Sequence, residues 1–188
     1  MRFEYKTSPM NMTRPEDSDE SDAGRVTVLG LGNILLSDEG VGVHALNALQ
    51  SRYVCPPFVE FIDGGTMGLD LLPLFQARDR ILIIDAVDFD KAPGHVGVLE
   101  GDKIPSVLMS KLSVHHIGLS DVLFAAKLMR ETPLDVCLVG IQPKELDVGL
   151  DMTPEIRVKL DALIELVLQK LKEWNIECVL RSPLKSSL

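Results

Sequence analysis

Short apolar runs rich in branched side chains alternate along this chain with longer stretches in which apolar residues recur at helical spacing. Residues 25–31 read Arg-Val-Thr-Val-Leu-Gly-Leu, a nearly unbroken apolar run that ends beside glycine. Such a run predicts a strand buried on both faces. Residues 59–63, 80–86, 96–99 and 135–141 repeat the pattern, and the run at 59–63 is stopped by Gly64 and Gly65. Helices are predicted over 40–53, 69–77, 118–129 and from Thr153 to about Trp174. The last opens on Thr153-Pro154-Glu155: an N-cap candidate, a proline at the first helical position and an acid in the first turn. Strands alternating with helices imply right-handed crossovers. The prediction is an α/β protein, a three-layer α/β/α sandwich around a mostly parallel, mixed sheet of about five strands.

The ends differ from the middle. Leu, Ile and Val are absent before Val26, and residues 14–24 are acidic and turn-prone. Residues 1–24 are therefore expected to be a disordered acidic tail. One folded domain is expected over 25–176, followed by a polar tail at 177–188 with a short extended piece near 177–180. The length of 188 residues suits one domain with a real core. Nothing in the pattern demands more than a monomer.

Charge and cysteine content narrow the partners. Nineteen Lys and Arg stand against 28 Asp and Glu, a net charge of -9. That disfavours nucleic acid and anionic membrane surfaces, both of which need clustered cations. No apolar run approaches the roughly 18 residues of a membrane span, and no apolar signal core opens the chain. The expected location is the cytoplasm. Cys55, Cys137 and Cys178 are odd in number and far apart, so they are expected to be reduced thiols, neither a disulfide framework nor a zinc knuckle.

In a parallel sheet, ligands sit beyond the carboxyl ends of the strands. Asp38 and Glu39 follow the first strand, Asp63 closes the second and Asp85 the third, while His115 and His116 precede the helix at Gly118. Carboxylates with a neutral imidazole suit a borderline divalent ion such as nickel or zinc. Asp38 also reads as a cap for the helix near Gly40. Gly30-Leu31-Gly32 opens like a dinucleotide fingerprint, but position 35 is Leu35; a tight exit turn that carries Glu39 over the sheet edge fits better. No G-x-S-x-G elbow is present.

Several motifs together resemble the hydrogenase maturation endopeptidases. Residues 28–43, Val-Leu-Gly-Leu-Gly-Asn-Ile-Leu-Leu-Ser-Asp-Glu-Gly-Val-Gly-Val, look like the opening signature of that family. Asp63-Gly64-Gly65-Thr66 resembles its second motif, Ile84-Asp85-Ala86 its third, residues 113–119 with the His115-His116 pair its fourth, and residues 138–143 its late strand. The resemblance implies removal of a C-terminal extension from the large-subunit precursor of a nickel-iron hydrogenase after nickel insertion. It implies Glu39, Asp85 and His115 as metal contacts, with the nickel belonging to the substrate; zinc or cadmium could occupy the site in isolated protein. It implies a part in cleavage for Asp63, beside which Gly64, Gly65 and Thr66 are substrate-binding candidates; without a serine elbow the nucleophile of that cleavage would be water, with Asp63 or Asp38 as general base or a metal polarising the carbonyl. Rival functions are a non-catalytic nickel-binding chaperone using the same triad and a Rossmann-type NAD-dependent oxidoreductase.

Overall fold

The structure, a computed structural model, describes residues 24–101, 103–104, 118–130 and 132–182. Its elements follow the alternation of the sequence. They are β1 (Val26–Leu31), α1 (Val41–Arg52), β2 (Tyr53–Val54), β3 (Val59–Gly65), α2 (Leu72–Ala77), β4 (Arg80–Ala86) and β5 (Val96–Glu100). Then come α3 (Leu119–Met129), β6 (Asp135–Ile141), α4 (Pro154–Arg157), α5 (Leu160–Glu173) and β7 (Val179–Leu180). Short 3-10 turns, Ser37–Gly40 and Gly68–Leu71, lead into α1 and α2.

Among the described residues the main sheet has five strands in the order β3-β1-β4-β6-β5. All neighbours are parallel except β5, which runs antiparallel to β6. Strand alternation divides the core. Val26, Val28, Leu82, Ile84, Val139 and Ile141 point to one side, where they meet Val41, Ala45, Leu46 and Leu49 of α1 and Leu163, Val167 and Leu171 of α5. Leu29, Ile81, Ile83 and Leu138 point to the other, against Phe75 of α2 and Val122 and Ala126 of α3. The predicted three layers are present. Each fully buried aliphatic side chain contributes about 1.5–3 kcal/mol, so the double-faced burial of β1, β4 and β6 makes these strands the rigid centre.

The last predicted helix is two helices. α4 ends at Arg157 and α5 begins at Leu160. Thr153 starts α4 through its carbonyl, which accepts from Ile156 and Arg157. Its hydroxyl does not cap the helix; it donates to Asp38 instead.

The C-terminal boundary also needs correction. Residues 176–182 are attached to the domain. Ile176 is buried, β7 pairs antiparallel with β2, and Arg181 N–H donates to the Arg52 carbonyl at 2.8 Å. The same pairing overturns the expectation of reduced thiols. Cys55 just after β2 and Cys178 just before β7 form a disulfide with a Cα separation of 4.2 Å. Only Cys137 is free, buried in the sheet. Among the described residues no helix is long and apolar enough to cross a membrane. Residues 1–23 and the His115-His116 pair lie outside the described residues.

Candidate active site

A cleft of about 140 Å³ opens at the carboxyl ends of β1, β3 and β4. Leu31, Gly32, Glu39, Gly65, Thr66, Gly68, Leu71, Asp85, Gly118 and Leu119 line it. The chain leaves β1 toward β3 through α1 on one face of the sheet, and reaches β4 through α2 on the other. The crossovers therefore diverge at this edge, where open α/β sheets place their ligands.

Glu39 is delivered by backbone geometry. Gly32 has φ +117, and a Cβ there would stand 1.8 Å from the Glu39 carbonyl oxygen. Only glycine supplies that conformation and that approach. The predicted exit turn is thus present, and no phosphate cradle is built from it: Gly30 packs on α1, where a Cβ would come 2.7 Å from the Gly42 carbonyl oxygen. The chain then folds back so that Glu39 N–H donates to the Leu36 carbonyl at 3.0 Å. Glu39 is half-buried, with its Oε2 enclosed.

Asp85 stands on the tip of β4, across the cleft from Glu39. Its carboxyl is pushed up to about 7 from an ordinary 3.8. Burial is the main cause. The Ala86 N–H, which donates to Oδ1 at 2.8 Å, pulls the other way, and the negative charge of Glu39 adds to the rise. A crowded acid pair of this kind is a poor home for two negative charges and a good one for a cation placed between them.

The acids predicted beside this pair have different situations. Asp63 is exposed at the end of β3, where its Oδ1 accepts from Gly65 N–H at 3.0 Å. That bond shapes the turn, and Gly32 N–H donates to the Gly65 carbonyl at 3.0 Å, tying the turn to the loop that carries Glu39. Gly65 and Thr66 reach the cleft. Gly64 does not: it is buried, and a Cβ there would meet Leu29 at 2.7 Å and Leu31 at 2.8 Å.

Asp38 does not cap the helix near Gly40; its side chain is an anchor. It is fully buried and absent from the cleft lining. Its Oδ2 accepts from the N–H groups of Lys144 and Glu145, both at 3.1 Å, and its Oδ1 from Thr153 N–H at 2.7 Å. The Thr153 hydroxyl adds a further bond. With both oxygens engaged by donors, the carboxylate stitches the loop after β1 to the loop after β6.

Among the described residues, no group of three His, Cys, Asp or Glu side chains comes together as a metal site. The described chain supplies Glu39 and Asp85, while His115 lies outside it. A larger cavity of about 410 Å³ occupies the opposite edge of the sheet, lined by Glu100, Asp135, Cys137, Lys170 and Trp174 among others. It holds no comparable chemistry. Burial pushes the Cys137 thiol up to about 12, and Glu100 and Glu173 pair with Lys170.

An α/β sheet of this order, with acids meeting at its carboxyl edge, has the layout of an enzyme with its site beyond the strand ends. Residues 43–170 match the model of the hydrogenase maturation protease family, and the chain belongs to that family. The Hydrogenase 2 maturation protease of Escherichia coli K12 is 40% identical over 158 residues, which is 84% of this chain and 96% of that protein. The hydrogenase expression/formation protein HupD of Bradyrhizobium diazoefficiens is 38% identical over 170 residues, 89% of this chain and 88% of that one. The solved structure of the hydrogenase maturating endopeptidase HybD from E. coli superposes with a TM-score of 0.79 at 40% identity, covering 84% of this chain and 98% of that chain.

Proposed function

We propose that this protease removes the C-terminal extension of a nickel-iron hydrogenase large-subunit precursor once nickel is in place, and that Glu39 and Asp85 read the nickel held by that substrate. The observation that carries the proposal is the facing of Glu39 and Asp85 across one cleft, with Asp85 raised to about 7. A carboxyl that is costly to ionise in the free protein gains most when a cation arrives. Oxygen ligands with one imidazole suit nickel, and an ion already held by the precursor leaves only a few positions for the protease to fill. His115 takes the imidazole role. The nickel is cargo of the substrate, and zinc or cadmium would take the same contacts in isolated protein.

Cleavage requires water to attack the scissile carbonyl. Asp63 is the candidate base, because it borders the cleft through the Gly65 turn and is open to solvent; the oxygens of Asp38 are engaged elsewhere. Gly65 and Thr66 line the path of the substrate chain. The work takes place in the cytoplasm, with the protease acting as a monomer.

Incubation with purified precursor, with and without nickel, read by intact mass, tests this. The expected result is loss of the C-terminal peptide only from nickel-loaded precursor. Equal cleavage of empty precursor would remove the nickel-reading role. Binding without any mass change would make the chain a chaperone.

A further inference from the structure

The cleft itself is small for the task. Ligand pockets usually span roughly 300–1,000 Å³, against about 140 Å³ here. A stable protein–protein contact buries about 800 Å² on each partner. Most of the affinity for a protein substrate must therefore come from surface next to the cleft.

Such a surface exists on one side. Ile34 and Leu35 in the loop after β1, and Leu146, Val148 and Leu150 in the loop after β6, are 46%, 55%, 53%, 88% and 72% exposed. Single exposed aliphatics are ordinary, but a cluster of this kind marks an interaction site. The two loops are zipped together. Ser37 N–H donates to the Gly149 carbonyl at 2.8 Å, Gly149 N–H to the Leu35 carbonyl at 2.9 Å, and Ser37 Oγ to the Asp147 carbonyl at 3.0 Å. Beneath them lies the Asp38 anchor. A ridge held this way loses little further freedom on binding. It is also continuous with the site, because the turn that carries Glu39 hangs from Leu36.

We propose that this ridge is the docking surface for the body of the precursor, through an aliphatic patch of that partner bordered by Lys and Arg. The inference rests on the protease function given above. Charge selects the partner's chemistry. The ridge's own cations are taken, Lys144 by Glu155 and Arg157 by Asp151. Glu145 and Asp147 alternate with the apolar positions in a chain of net charge -9. A basic rim meets both features.

The test is steady-state cleavage of nickel-loaded precursor by the full chain and two double variants. V148S/L150S should raise KM roughly tenfold with kcat unchanged, since apolar contact outside the reacting centre is uniform binding. E145Q/D147N should flatten the salt dependence of KM. Both alter exposed side chains, so unchanged melting temperatures confirm intact folding. A KM unaffected by V148S/L150S overturns the ridge and leaves the protease function standing. Dispersal of a dimer of this chain by V148S/L150S, seen in sedimentation with KM unaltered, also overturns it and makes the ridge a self-association face. No cleavage by the unsubstituted chain sinks the function and the ridge together.

Discussion

Gly42 lies so close to the end of β4 that a methyl group on its α-carbon would stand 2.1 Å from the carbonyl oxygen of Ile84. The same methyl would be 2.3 Å from the Leu31 carbonyl oxygen. Backbone oxygens at the tips of two central strands cannot yield, so α1 would have to move. The first turn of α1 follows Glu39 directly and Asp85 follows Ile84, so this contact sets the spacing of the acid pair. Gly42→Ala should destabilise the protein by about 1–3 kcal/mol, the usual cost of overpacking. It should also cut cleavage well beyond what lost folded protein explains. Urea unfolding beside single-turnover cleavage separates the two; a variant with a lowered melting point and unaltered cleavage by its folded fraction would show that α1 does not space the acids.

Asp85 makes the free protein's stability depend on pH. It titrates near 3.8 when unfolded and at about 7 when folded. Between those values the native state holds a proton that the unfolded state releases. The stability contribution of the neutral acid is therefore full below about pH 4, falls as pH rises, and is gone above about pH 7. At 1.36 kcal/mol per unit the full loss is bounded by about 4 kcal/mol, and less because Asp85 keeps some solvent contact. Asp85→Asn should melt at a higher temperature than the natural chain at pH 8 and lose nickel-dependent cleavage. Melting curves from pH 4 to 8 check the first, intact mass the second.

The sheet was legible because β1, β4 and β6 are covered on both faces, which writes an unbroken apolar run into the sequence. Glu39 and Asp85 were legible because topology forces acids at those positions to one edge. Asp38 was not. An acid just before a helix looks the same whether it caps that helix or anchors a distant loop, and its partners lie 106–115 residues away. The attachment of residues 177–182 was hidden for the same reason, although a short extended piece near 177–180 was legible and is β7. Glu177 and Arg181 read as tail, and the disulfide and the β2–β7 ladder that fix them join positions about 123 residues apart. Gly42 reads only as a weak helix former; the need for glycine there arises from β4, which the local pattern does not contain.

Asp38 should matter for stability more than its neighbour Glu39. Asp38→Ala strands the N–H groups of Lys144, Glu145 and Thr153 around a side-chain position that is itself buried, though the loop that carries them is partly exposed. Each stranded donor costs about 1–3 kcal/mol, reduced by whatever water enters. A net loss of roughly 3 kcal/mol is expected. Hydrogen exchange should quicken across residues 143–153, and KM should rise as the ridge loosens. Glu39→Gln should leave stability nearly intact and abolish nickel-dependent cleavage. Equal melting temperatures for the two variants would contradict the anchor role.

The disulfide joins Cys55 to Cys178 across a sequence separation of 123. Closing a loop of that length restricts the unfolded chain, which on the entropy model stabilises by up to about 4–5 kcal/mol and more often by about 2–4. Cys55→Ser should therefore lower the melting temperature, and a dithiol reductant should lower that of the natural chain by a similar amount while leaving the variant alone. The cleft lies at the carboxyl edge of β1, β3 and β4, whereas the disulfide fastens the C-terminal end of α1 to the segment after α5. Reduction at a temperature where the domain stays folded should leave the rate of precursor cleavage unchanged and expose residues 176–182 to trypsin at Arg181. A loss of cleavage on reduction, with no loss of fold by circular dichroism, would instead tie the Cys55–Cys178 link to the active site through α1.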